Sequence, residues 1–138
     1  MMMKLILLFI TIIATSTAYG QQNTDYNDLS LNGLASYEQL RKEYFIAALY
    51  LESFTQDSDS IMNYSGMKRM ELRIVIDEWS PRRFAQHWNQ AMLINNKSDA
   101  QEKFSEQILA FTNIPKESLI SGDIITIDLH PDSGTTVS

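Results

Sequence analysis

The sequence predicts a single α+β domain in which an antiparallel sheet is backed by helices, and three observations predict it. Met70, Leu72, Ile74 and Ile76 alternate with Glu71, Arg73 and Val75, the period-two mark of a strand with one face in a core. Ile125, Ile127 and Leu129 repeat that alternation against Ile124, Thr126 and Asp128. Between these strands, Phe84, Trp88, Ala91 and Met92, and then Ala100, Phe104, Ile108 and Phe111, recur at three and four residues, the spacing of helices that bury one stripe. A chain of 138 residues, 44% apolar with five Gly and three Pro, has room for one such domain and no second.

At the start, Lys4, the apolar run Leu5 to Ile13 and a small-residue stretch ending at Gly20 have the layout of a secretory signal peptide, expected over residues 1–20. The apolar run falls well short of the roughly 20 residues that cross a bilayer, so no stable membrane span is expected once the leader is removed. The protein is therefore expected to be exported, periplasmic or secreted. Residues 21–28 are polar and aperiodic and read as a flexible lead, and the folded domain is expected over 29–138. From Leu40 to Leu51 a nearly continuous aromatic and aliphatic run fits a strand buried on both faces at its far end, with a helix as the competing reading. Asp57 and Ser58 open a short helical turn that stops by Gly66.

Ser80-Pro81 is an N-cap followed by a first helical residue, predicting a helix from Pro81 to about Asn95. One second helix, capped by Ser98 or Asp99, is expected to run to Phe111 before Pro115. Ser121-Gly122-Asp123 is a turn, the strand from Ile124 follows, and His130 to Gly134 is a hairpin turn. Thr135 to Ser138 pairs back on the strand before it.

Eleven Lys and Arg against seventeen Asp and Glu give a formal charge of -6, which opposes nucleic acid as a partner. With no Cys, and with His87 and His130 far apart, no zinc or haem spacing exists, so no metal and no cofactor are expected. There is no glycine-rich phosphate loop and no Gly-x-Ser-x-Gly elbow.

Several stretches together resemble the exported bacterial chalcone isomerase-like family. They are Leu31-Asn32-Gly33, the strand ending Ala47-Ala48-Leu49-Tyr50-Leu51, Met70 to Ile76 leading into Ser80-Pro81, Ser121-Gly122-Asp123, and the Gly134-Thr135-Thr136-Val137 close. The resemblance implies a curved antiparallel sheet with helices packed on one face and a substrate cleft between them. In the plant enzymes of that fold, an arginine helped by hydroxyl and amide groups stabilises the phenolate and enolate of an intramolecular ring closure, work for which a guanidinium's fixed donors are suited. The resemblance also implies a further turn, strand and helix beyond Val137, so the chain reads as C-terminally short.

An ungapped match from Gly33 to Leu51 puts the family arginine's place on Tyr37, while a loop shift puts Arg41 there. On one continuous strand Arg41 would share Tyr37's face, displaced by roughly 13 Å along it. The resemblance assigns the family's strand hydroxyl to Phe45, its helix-start tyrosine near Ser80, its asparagine near His87 and its late Ser or Thr to Ile124. The full catalytic set is therefore not retained, and no catalytic residue is assigned.

Tyr37, Arg41, Phe45 and His87 remain as candidate ligand-binding residues, each with an ordinary packing or solvated role as its alternative. Phe45, Phe84, Trp88, Phe104 and Phe111 either line an apolar cavity or form a core. Asp77-Glu78 reads as a solvated pair. The favoured function is non-catalytic binding of a small apolar or carboxylate-bearing ligand, such as a fatty acid or aromatic acid. The alternatives are a true isomerase and, if the aromatics leave no room, a structural or protein-interaction domain.

Overall fold

A computed structural model describes residues 28–138; the leader read over 1–20 and residues 21–27 of the lead lie outside them. The strand β1 (Ser30–Gln39) is followed by β2 (Lys42–Leu51), and the two pair antiparallel with Gln39 opposite Lys42. Leu40 and Arg41 alone close this hairpin, with φ of 52° and 63°. A two-residue turn with both residues left-handed is ordinarily Asn-Gly. Leu-Arg carries no such signal, so the sequence reads as one strand where there are two. Arg41 is therefore not on a strand face shared with Tyr37 but in an exposed turn.

Two register shifts bend the hairpin. Asn32 is the extra residue of β1 between Leu31, opposite Tyr50, and Gly33, opposite Leu49. Its side chain accepts from Thr55 N–H at 2.8 Å and donates to Thr55 O at 3.0 Å, tying down the loop after β2. Tyr44 is the extra residue of β2, between Glu43, opposite Glu38, and Phe45, opposite Tyr37. Its carbonyl accepts from Val75 N–H at 2.9 Å and Ile76 N–H at 3.3 Å.

After the short helix α1 (Ser58–Asn63), capped by Asp57, comes β3 (Lys68–Ile74), and Met70, Leu72 and Ile74 are buried as their alternation requires. The two-residue strand β4 (Glu78–Trp79) leads into α2 (Pro81–Asn95), whose N-cap Ser80 accepts from Arg83 N–H as its sequence indicates. The expected second helix is instead two, α3 (Ser98–Lys103) and α4 (Ser105–Thr112), broken at Phe104 with φ -110° and ψ 20°. Phe104 N–H still reaches Ala100 O at 3.0 Å and Ile108 N–H reaches Phe104 O at 2.9 Å. The stripe thus survives the break, and periodicity alone does not register it. Lys97, not Ser98 or Asp99, occupies the N-cap position, with no side-chain cap.

The strand β5 (Leu119–Ile120) pairs with β4 as a separate two-stranded sheet. After the Ser121-Gly122 turn, where Gly122 has φ 98°, β6 (Ile124–His130) pairs with β3, and β7 (Gly134–Val137) returns on β6. The result is a curved antiparallel sheet in the order β1-β2-β3-β6-β7. Cross-strand partners share a face, so Phe45, Ala47, Leu49, Ile74, Leu72, Met70, Ile125 and Ile127 form one apolar layer. Phe84, Trp88 and Met92 of α2 and Phe111 of α4 pack on that layer, with Ile61 and Tyr64 at the α1 end. The opposite face carries Arg69, which grips Asp128 with two bonds of 2.7 and 2.9 Å, and Glu71, which accepts from the Tyr50 hydroxyl. No helix among the described residues is long and apolar enough to cross a membrane.

Candidate functional site

The functional candidates meet where the β1–β2 hairpin lies against the first turns of α2. Bulges re-aim side chains, and the one at Tyr44 turns two consecutive residues, Tyr44 and Phe45, toward the helix. Tyr37 stacks on Phe45 with ring centres 5.1 Å apart, and Phe45 stacks in turn on Trp79 and Trp88 at 5.8 and 6.0 Å. His87 stands edge-on to Tyr44 at 4.7 Å and meets Trp79 at 5.6 Å and Tyr37 at 6.3 Å. Three of the four expected residues, Tyr37, Phe45 and His87, thus come together. Arg41 does not join them.

A different guanidinium does. Arg83 lies one turn before His87 on α2, its Nη2 donates to the Tyr44 hydroxyl at 2.7 Å, and its Cζ lies 5.8 Å from the Tyr44 ring centre. Among the described residues it forms no ion pair; the ion pair there is Arg69 with Asp128. Arg83 was legible in principle, since the cap at Ser80 fixes the helical phase and puts it on the same face as His87. Tyr44 was not, because only the bulge brings it to this side of the strand.

The electrostatics follow from burial and from Arg83. Loss of water and the neighbouring guanidinium both push His87 below the usual imidazole range. Burial first, and the adjacent Tyr44 second, raise the Tyr37 phenol above its ordinary value. At neutral pH the cleft therefore holds a neutral imidazole, a neutral phenol and one permanent cation. His87 Nδ1 and Trp79 Nε1 are buried with no hydrogen-bond partner. An unsatisfied buried polar atom costs about 1–3 kcal/mol, so native structures rarely keep one without a use.

The rings leave little space. Tyr37, Phe45, Trp79, His87, Trp88 and Ala91 enclose a hollow of about 10 Å³, the room of a single water. Phe84, Trp88 and Phe111 contact one another at 5.1–6.1 Å as packed core, while Phe104 is only half-buried against it. A larger concavity of about 290 Å³ lies elsewhere, open to solvent between α2 and the α3–α4 pair. It is lined by Asn89, Met92, Leu93, Gln101, Ser105, Ile108 and Leu109, without a charged group. Among the described residues, no group of three His, Asp or Glu side chains converges as a metal site would require.

The chain is matched over residues 12–138 by the family model described as chalcone isomerase-like. The chain belongs to the chalcone isomerase-like family. No curated protein matches it. Within the family frame, the two positions to which the resemblance assigns the arginine and the strand hydroxyl are Tyr37 and Phe45. These face each other across the hairpin and fill the cleft with stacked rings. Ser80 caps α2, and Ile124 lies exposed at the start of β6.

Proposed function

We propose that this chain is a non-catalytic chalcone isomerase-like domain that binds a small apolar, carboxylate-bearing molecule, with the carboxylate at Arg83. The observation that carries this reading is the polar end of the cleft. An accessible guanidinium without an ion pair stands beside the Tyr44 hydroxyl, with partnerless buried nitrogens on His87 and Trp79 in the adjoining rings. A planar carboxylate matches a guanidinium's paired donors. The outer groove between α2 and α3–α4 is roomier but offers no cation to such a headgroup.

The tail requires space that the hollow of about 10 Å³ does not hold. Tyr37 is the ring that can yield, being half-buried and carried on the edge strand β1. Unstacking it from Phe45 costs about 0.5–1.5 kcal/mol beyond the apolar area it exposes. Burying each methylene of an incoming chain returns about 0.8 kcal/mol. A tail of a few carbons therefore offsets the opening.

Trp79 and Trp88 are the whole tryptophan complement and both border the hollow, so their emission reports on this site. Titration with octanoate or cinnamate should give a saturable emission change, weakened about 10- to 100-fold by Arg83→Ala, the worth of a charged hydrogen-bonded contact. Added chalcone should close its ring no faster than in buffer. An emission unchanged by both acids refutes the binding reading. It would favour the second reading, a protein-interaction domain with a solid core, which the small hollow supports. Accelerated chalcone closure would refute both. The leader pattern of residues 1–20 supports work outside the cytoplasm, and N-terminal sequencing of exported protein should then begin at Gln21.

A further inference from the structure

Two groups able to carry positive charge, Arg83 and His87, stand one turn apart on α2 and share the aromatic cleft. The groups packed around His87 are Tyr37 from β1, Tyr44 from β2, Trp79 from β4 and Arg83 from its own helix. None of them is a carboxylate. In the ligand-free cleft a proton on His87 would put a second cation beside the Arg83 guanidinium, among rings that exclude water. His87 Nδ1 is buried without a hydrogen-bond partner in this cleft.

A carboxylate seated on Arg83 reverses that balance. Its charge cancels the guanidinium's and leaves an anion close enough to favour an imidazolium. We infer that the cleft takes up one proton on His87 with each carboxylate it binds, so that organic monoacids are held more tightly in acid than at neutral pH. This rests on the binding reading above and adds the regulation of that site. Linkage makes the effect reciprocal, because a ligand that binds the protonated cleft better must also raise the proton affinity of His87. Between the proton affinities of the free and liganded imidazole, binding should strengthen by up to about tenfold for each pH unit lowered.

The test is calorimetric titration of the purified chain with octanoate between about pH 6 and 8, in phosphate and in Tris. The difference in heat between the two buffers counts protons. Uptake approaching one proton, with affinity rising toward acid, is expected. Octane-1-sulfonate, which stays ionised throughout, should show the same slope and so place the proton on the protein. His87→Gln should lose the slope, whatever its absolute affinity for octanoate. Should that variant fold poorly, the wild-type imidazole resonances give the same answer, since His87 and His130 are the only histidines. Octanoate should raise the titration midpoint of His87 and leave that of His130 in place. Octanoate binding with no proton uptake, or a slope that persists in His87→Gln, overturns this inference while leaving the binding reading intact. No binding at any pH overturns both.

Discussion

The tightest turn in the fold is made by residues ill suited to it, and this gives a prediction with a sign opposite to that of most substitutions. Leu40 and Arg41 hold φ of 52° and 63° between paired Gln39 and Lys42. A side-chain-bearing residue in the left-handed region costs about 1 kcal/mol or more. Asn tolerates that region and Gly is at home there, so Leu40→Asn with Arg41→Gly relieves about 2 kcal/mol of strain. The glycine returns about 0.5–1 kcal/mol to the unfolded chain as entropy. Leu40 is 91% exposed, so its loss removes almost no buried surface. The net is a gain of about 1–1.5 kcal/mol, or a rise in Tm of about 4–8 °C for a domain of this size. Thermal unfolding followed by circular dichroism measures it, with Leu40→Ala as the control that keeps the strain and should leave Tm nearly unchanged. Octanoate affinity should not alter, because Arg41 lies outside the cleft. A double variant no more stable than the parent would refute the two-residue left-handed turn. One that also lost octanoate would return Arg41 to the site.

Asn32→Ala should lower Tm by about 4–15 °C, because it strips both Thr55 backbone groups of their partner, at a cost of about 1–3 kcal/mol. Limited proteolysis should then cut faster in the loop between β2 and α1. The pH dependence of unfolding should show His87 as well. Its proton affinity is depressed in the folded state, so above the ordinary imidazole value of about 6.5 it costs nothing. As pH falls from there toward the folded value, the unfolded chain binds the proton first and stability is lost. His87→Gln should remove that component and leave a shallower decline in Tm between about pH 7 and 5, measured by calorimetry. An unchanged decline would mean that His87 is not depressed.

How much of this was visible in the chain depends on which physical signal each element leaves. β3 and β6 were legible because one face of each is buried, so Met70, Leu72 and Ile74 and then Ile125, Ile127 and Leu129 had to alternate. The start of α2 was legible because Ser80-Pro81 states a cap chemically. The β1–β2 hairpin was not, since its turn is held by tertiary pairing of β1 along the whole of β2 and not by Asn or Gly. β4 and β5 are two residues each, too short for any period. In the cleft, Tyr37, Phe45 and His87 came from the family resemblance. Tyr44 escaped because alternation assigns it to the far face of β2, and one inserted residue of register reverses that assignment.

The cleft also shows why binding and ring closure make unequal demands on this chain. Ring closure by the arginine route that the family resemblance implies would need Tyr37 replaced by a guanidinium and Phe45 by a hydroxyl. An arginine at position 37 would stand beside His87 and against the Phe45 ring, where a half-buried guanidinium loses part of its water. Removing the Phe45 ring takes stacking from Tyr37, Trp79 and Trp88 at once, in a residue only 7% exposed, and such truncations cost about 3–5 kcal/mol. The loss of the Phe45 ring alone is a large share of the roughly 5–15 kcal/mol that holds a typical domain folded. Tyr37→Arg with Phe45→Thr should therefore unfold well below the parent temperature and show no chalcone closure. Admitting a carboxylate, as proposed, would ask that Tyr37 swing aside, at about 1 kcal/mol of stacking beyond the area exposed, while Arg83 and the Tyr44 hydroxyl stay where they are. On the proposed reading, the same packed rings therefore weigh against the arginine route more heavily than against binding.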